Sequence, residues 1–121
     1  EAMYALQLLG ARRGEPRMRS SAAYLSQNLP HWNEANTYYW YYATLALHQH
    51  QGRSWKRWNE QMKRELVQNQ VREGAPAGSW PPMDRWAAVG GRVYQTALCA
   101  LMLESYYRYL PMYAKEEEPE R

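Results

Sequence analysis

The residues of this sequence that could do chemistry are few and poorly spaced for it. His48 and His50 flank a glutamine near the end of a predicted helix. Residues two positions apart lie about 200° apart around a helix, so these imidazoles cannot bind one metal ion together. We expect them instead to be cations that interact with the negative end of the helix. His31 and Glu34 stand in a predicted turn, where a metal or acid–base site would need a third group that the sequence does not place.

The remaining reactive residues stand alone. Cys99 is the one cysteine, so no internal disulfide can form, and the apolar residues around it predict a buried, unreactive thiol. Asp84 is the one aspartate, and the adjacent Arg85 predicts an exposed ion pair. The sequence contains neither a glycine-rich phosphate loop nor a Gly-x-Ser-x-Gly elbow. We therefore predict no catalytic residue, no metal and no cofactor in this chain.

The composition limits the class of protein further. A chain of 121 residues is long enough for one domain with a core of its own. Its net charge of +3 comes from scattered arginines, which argues against a nucleic-acid partner. The longest apolar run, residues 97–103, is too short to span a membrane. The sequence opens inside an apparent helix, so we expect a fragment of a longer protein, and nothing in it identifies a compartment.

Hydrophobic periodicity predicts five helices, and the elements between them are glycine- and proline-rich. The predicted helices are residues 1–9, 17–28, 36–51, 55–70 and 92–110. The first, third and fifth are apolar-rich, the third and fifth on nearly every side, whereas the second and fourth carry one apolar stripe, so inner and outer helices should alternate. The tyrosine run at 38–42 would also suit a strand, but its apolar continuation favours a helix. We expect Gly52 to end the third helix and Ser54 to cap the fourth.

The same helix pair recurs along the chain. Ala5 and Ala46 begin matching Ala-Leu pairs 41 residues apart, Leu25 and Leu66 have the same spacing, and Ala100 begins a third Ala-Leu pair. Helix pairs repeated at this length stack into arcs, solenoids or toroids. We predict an all-α fold, namely an α-α repeat that forms a partial α/α toroid of about five helices. This domain would cover residues 1–113, and the charged segment 114–121 would be a disordered tail.

The loop after the fourth predicted helix carries a further pattern. Gln70 stands at the helix end, Gly74 follows in the loop, and Gly78 and Trp80 form a Gly-x-Trp sequence. Here the chain resembles the squalene-cyclase-type repeat proteins of the terpenoid cyclase and prenyltransferase superfamily, which have an α/α-toroid fold. Their signature is a glutamine at a helix end followed by Gly-x-Trp, and an insertion breaks its strict spacing in this chain. The resemblance covers residues 1 to about 110.

The resemblance implies a structural clamp formed by the glutamine, the two glycines and the tryptophan. In such a clamp Gln70 caps a helix end and Trp80 stacks across the turn between repeats. The alternative is that Trp80 is a loop aromatic packed on Pro81. We favour the clamp, because a glutamine can satisfy the unpaired backbone groups of a helix terminus.

The superfamily includes proteins with three activities, and this chain lacks the residues that each activity needs. Triterpene cyclases use an aspartate-rich acid motif, protein prenyltransferases hold zinc with Asp, Cys and His, and complement-type thioester domains carry Cys-Gly-Glu-Gln. We therefore predict a non-catalytic repeat module with a structural or protein-interaction role in a larger protein. Its partner would be another protein, the missing repeats, or a second copy in a homo-oligomer.

The alternative function is a remote cyclase-like enzyme, or a lipid- or terpenoid-binding module, whose active residues lie outside this chain. Aromatic side chains on the inner helices could line its pocket, and the candidates are Tyr39, Trp40, Tyr42 and Tyr94. Aromatic faces can stabilise cations. An aromatic stripe at helical spacing is nevertheless more often part of a core.

Overall fold

The computed structural model describes residues 1–112, which form α-helices joined by turns. The helices are α1 Ala2–Leu8, α2 Pro16–Gln27, α3 Thr37–His50, α4 Gly52–Asn69 and α5 Arg85–Arg108, with a 3₁₀ turn at Trp32–Glu34. The predicted all-α class is confirmed, and the tyrosine run at 38–42 lies within α3. The predicted tail at 114–121 lies outside the described residues.

The helices are arranged in two rows. In the first row α3 packs against both α1 and α5, while α2 and α4 pack together in the second row. Contacts of α3 with α2 and α4 join the rows. The core lies between them and includes the fully buried side chains of Met18, Leu47, Trp58, Met62 and Leu66. α3 is buried along most of its length, as the hydrophobic pattern predicts, whereas α5 exposes Val93 and Ala97 and is not the fully buried inner helix that was expected.

Two hydrogen bonds from buried polar side chains join neighbouring helices in the core. The indole N–H of Trp58 donates to the hydroxyl of Thr44 at 2.9 Å. The amide of Gln7 donates to the backbone carbonyl of Ala46 at 2.9 Å and so ties α1 to α3. Because an unpaired buried polar group costs free energy, such bonds fix how the helices pack against each other.

The turn between α3 and α4 is shorter than the sequence predicts. Gly52 begins α4 instead of ending α3, so Ser54 lies inside the helix and is not its cap. Only Gln51 separates the two helices, and it has φ 59° and ψ −164°. The following Gly52 also has a positive φ of 73°. Two successive residues with positive φ reverse the chain without a loop, and this conformation is costly for a non-glycine residue such as Gln51.

Helix α5 begins before the predicted position. Residues 85–90, expected to be loop, already form its first turns, and the helix is kinked at Gly91. Gly91 has φ 74° and ψ −170°, a conformation that glycine adopts without the steric cost of a side chain. The glycines at 90 and 91 therefore mark a kink within a helix, whereas the sequence pattern was typical of a loop.

Candidate functional site

The predicted clamp residues lie together in the loop that joins α4 to α5. The indole N–H of Trp80 donates to the carbonyl oxygen of Leu66 at 2.7 Å, and its backbone N–H donates to the hydroxyl of Thr96 at 3.2 Å. Trp80 is buried. It thus bonds to α4 and α5 at once, which a loop aromatic packed on Pro81 alone would not do.

Gln70 and the two glycines close the loop on itself. The side-chain amide of Gln70 donates to the carbonyl of Gly78 at 2.9 Å, so it bonds to the loop and not, as expected, to a backbone group at the end of a helix. Gly74 and Gly78 have positive φ values of 75° and 84°. In addition, the backbone N–H of Gly78 donates to the carbonyl of Val71 at 2.7 Å. The loop therefore holds Trp80 through a set of local hydrogen bonds that begins at the end of α4.

Asp84 plays a different part from the exposed ion pair that the sequence predicts. Its Oδ1 accepts hydrogen bonds from the backbone N–H groups of Trp86 (2.9 Å) and Ala87 (2.8 Å), which caps α5. Its Oδ2 accepts from the backbone N–H of Thr37 (2.7 Å) and from its hydroxyl (2.6 Å), at the start of α3. One carboxylate thus holds the N-terminal ends of two inner helices together.

The physical reason for this difference lies in the neighbouring residues. The guanidinium of Arg85 lies 4.5 Å from the ring centre of Trp86, in cation–π contact. Burial would raise the pKa of Asp84, but the hydrogen bonds from Thr37, Ala87 and Trp86 outweigh it and hold the pKa below its ordinary value. Asp84 therefore remains a carboxylate with a structural function at neutral pH.

The four candidate pocket aromatics do not line one pocket. Tyr39 and Tyr42 border a groove of about 430 Å³ between α1, α2 and α3. Trp40 is buried in the core, where its ring centre lies 6.2 Å from that of Trp32. Tyr94 is on α5, where its side chain packs so closely over Gly90 that residue 90 has no room for a side chain. Tyr39 and Trp40 also border a second, polar groove, so each groove brings together two of the four residues and none holds all four.

The two histidines of α3 are buried, with 4% and 8% of their surfaces exposed, and are not helix-end cations. Burial lowers the pKa of His48; burial and the positive charge of Arg13 lower the pKa of His50. Loss of hydration outweighs the attraction of the helix C-terminus for a cation. The prediction of helix-end cations was therefore wrong, because the sequence pattern does not show how deeply the end of α3 is covered.

These two histidines should make the protein less stable in mild acid. Because their folded pKa values lie below the ordinary value near 6.5, the unfolded chain binds more protons as the pH falls through that value. We expect the urea midpoint of the wild type to fall between pH 7.5 and 5.5, and to fall less in the double variant His48→Gln, His50→Gln. Equal decreases in the two proteins would contradict neutral burial.

The other reactive residues are placed as follows. Burial raises the pKa of the Cys99 thiol to about 12, so it is protonated at neutral pH and a poor nucleophile. His31 and Glu34 are exposed and border a polar groove of about 390 Å³ together with Arg57. Within residues 1–112, no three His, Cys, Asp or Glu side chains are close enough to hold a metal ion.

A surface that the sequence analysis did not single out lies along α5. Val89 and Val93 are 89% and 82% exposed, and Ala97 is also exposed. These three residues are here called the α5 edge; Val89 precedes the kink at Gly91, and Val93 and Ala97 follow it on the straight part of the helix. Val93 and Ala97 border a shallow hollow of about 490 Å³ with Pro76 of the preceding loop. The sequence feature that could have indicated this surface is the spacing of Val89, Val93 and Ala97, which stand four positions apart.

Comparisons of the chain with protein-family models, curated proteins and solved structures give no match. None of the helices in residues 1–112 combines the length and the apolar character needed to cross a membrane. The function is therefore argued from the arrangement of the chain's own residues.

Proposed function

We propose that this chain is a non-catalytic α-α repeat module, related in architecture to α/α toroids, that acts by binding a protein partner through the α5 edge. The observation that carries this proposal is the exposure of Val89, Val93 and Ala97 at the end of a helix row. Contiguous exposed apolar surface, especially beside polar residues, is typical of protein interfaces.

The order of the row supports this role. α3 packs against α1, α2, α4 and α5, whereas the main helix partner of α5 is α3. In stacked helix repeats each inner helix buries its apolar faces against the next unit, and an end without a polar cap needs cover. The α5 edge therefore has the position and the chemistry of a surface that receives another helix.

The charges beside the edge favour a protein surface that is partly acidic. Arg85 and Arg92 are exposed next to the apolar stripe. The carboxylate of Asp84 accepts hydrogen bonds from two helix ends. It therefore does not form an ion pair with either arginine. An apolar centre with charged residues at its rim is the usual anatomy of a protein–protein interface.

The test uses a charge placed on the edge. Val93→Lys should remove the chain from any larger assembly in the cells that make it, because a lysine ammonium is costly to bury in an apolar contact. Native size-exclusion chromatography with immunodetection would follow the assembly. The control is Val67→Lys, since Val67 is also exposed, at 48%, but lies on the outer helix α4. An assembly that Val93→Lys leaves unchanged would contradict the proposal.

The groove between α1, α2 and α3 supports a second candidate function, the binding of a small lipid or terpenoid. Its volume of about 430 Å³ is within the range of about 300–1,000 Å³ for ligand pockets. Met3, Leu25 and Ala43 supply apolar lining, and Tyr42 supplies an aromatic face. A fluorescent isoprenoid should bind to the wild type and lose affinity in Ser20→Trp, which places a large ring at the rim. Equal binding to both would exclude this groove as the site.

A further inference from the structure

The exposed face of α5 continues beyond the α5 edge toward the C-terminal end of the helix. Val93, Ala97, Ala100 and Glu104 are spaced by four, three and four residues, so they share one side of the straight part of α5 after Gly91. The opposite side carries the buried Gln95, Cys99 and Met102. Val93, Ala97 and Glu104 are exposed, and Ala100 is half-buried.

The small side chains allow a second helix to approach this face closely. Ala97 and Ala100 lie at its centre and present only methyl groups. Interdigitating the residues of this face with those of a similar helix would bury the valine and both alanines at once. The face is also self-complementary, because the residue spacing reads the same in both directions.

The charges along the helix select the direction of pairing. Arg92 precedes the face and Glu104 follows its apolar centre, and both are exposed. A parallel pairing would place Glu104, which lies within the face, beside Glu104 of a second copy. An antiparallel pairing with its two-fold axis between Ala97 and Ala100 places Arg92 beside Glu104 of the second copy instead, twice per dimer. Opposite helix directions also align the helix dipoles favourably.

We propose that the partner of this face is a second copy of the chain, which pairs antiparallel through α5. This inference rests on the proposed function, because it names the partner of the same edge. In the dimer Ala97 packs on Ala100 of the second copy, and Val93 packs beside the stem of its Glu104. In the single chain Glu104 faces Arg108 at 3.4 Å and Arg92 bonds to the hydroxyl of Ser79 at 3.1 Å, so both charges remain at the surface and available for a rim contact.

The size of the contact predicts a weak dimer. The straight part of α5 is about 26 Å long at a rise of about 1.5 Å per residue, and the accessible surface of the chain is 8043 Å². A stable interface takes about a tenth of the surface of a small protein. The apolar centre of this contact is only one valine and two alanines, so we expect a weak dimer that forms at micromolar or higher concentrations.

The experiment is sedimentation velocity of the purified full chain over a concentration series spanning the micromolar range. The wild type should pass from monomer to dimer. Arg92→Glu and Glu104→Arg should each weaken the dimer about tenfold, because each places like charges together twice, and the double variant should recover the wild-type constant. Matched charge reversals on the exposed face of α4, Lys56→Glu and Glu60→Lys, should leave the constant unchanged.

A second measurement tests the register directly. A mixture of Ala97→Cys and Ala100→Cys chains should form an intermolecular disulfide faster than either variant alone, because the axis places position 97 opposite position 100. A wild-type chain that stays monomeric, reversals without recovery, or no preference for the mixed disulfide would each overturn the antiparallel dimer. If the purified chain is monomeric while its assembly in cells still depends on Val93, this inference fails and the proposed function stands.

Discussion

Replacing Trp80 with alanine is expected to lower the free energy of unfolding by about 3–5 kcal/mol. Trp80 is buried between the end of α4 and the start of the straight part of α5. The change removes its apolar contacts and leaves the carbonyl of Leu66 without the indole N–H that lies 2.7 Å away. Urea unfolding followed by far-UV circular dichroism measures the loss, with helix content before unfolding unchanged.

The matched control for this change is Trp86→Ala. Trp86 is 45% exposed and its ring contacts Tyr38 and Arg85 at the surface. We expect its removal to cost about 1 kcal/mol or less, as is usual for partly exposed positions. Similar losses for the two tryptophans would show that the loop does not hold α4 and α5 through Trp80.

The second large effect is expected for Asp84→Ala, at about 3 kcal/mol. Loss of a helix cap costs about 1 kcal/mol; Asp84 caps α5 and also accepts the first backbone N–H of α3, beside the Asn36 cap of that helix. The fully buried hydroxyl of Thr37 would also lose its 2.6 Å acceptor, which costs about 1–3 kcal/mol for a buried group. Urea midpoints at pH 7 measure the change.

Acid should reduce the difference between wild type and Asp84→Ala. The folded-state pKa of Asp84 is lowered, so its contribution is present above the ordinary aspartate value near 3.9 and is lost as the pH falls through the folded-state value. The control is Glu73→Ala, which removes an exposed carboxylate from the nearby loop and should change stability by no more than about 0.5 kcal/mol. A loss for Asp84→Ala no larger than that of the control would refute the role of Asp84 at both helix ends.

The helices could be predicted from the sequence because they follow from local periodicity. Met18, Ala22 and Leu25 recur at helical spacing and are buried on α2. The start of α4 was misplaced, because Gly52 is typical of a helix end and nothing local shows that Gln51 adopts a positive φ of 59°. That conformation is imposed by the packing of α3 and α4 on either side.

The parts of the candidate site that could not be predicted depend on residues far apart in the sequence. Asp84 bonds to Thr37 across 47 positions, so its neighbour Arg85 was a poor guide to its partner. The amide of Gln49 similarly bonds to the backbone of Leu110 and Met112, and both contacts join segments about 60 positions apart. The burial of His48 also depends on tertiary contacts, including the ring of Trp55 at 5.1 Å.

The most direct test of the proposed interface is photo-crosslinking at Val93 in the cells that make the protein. A benzophenone amino acid at position 93 should give one discrete adduct, and adding Val89→Lys to the same chain should abolish it. The same probe at Val67, exposed on α4, should give none. An adduct of twice the chain's mass would identify a second copy, and an adduct of another discrete mass would identify a different partner. No adduct at position 93, or equal adducts at both positions, would contradict an interface at the α5 edge.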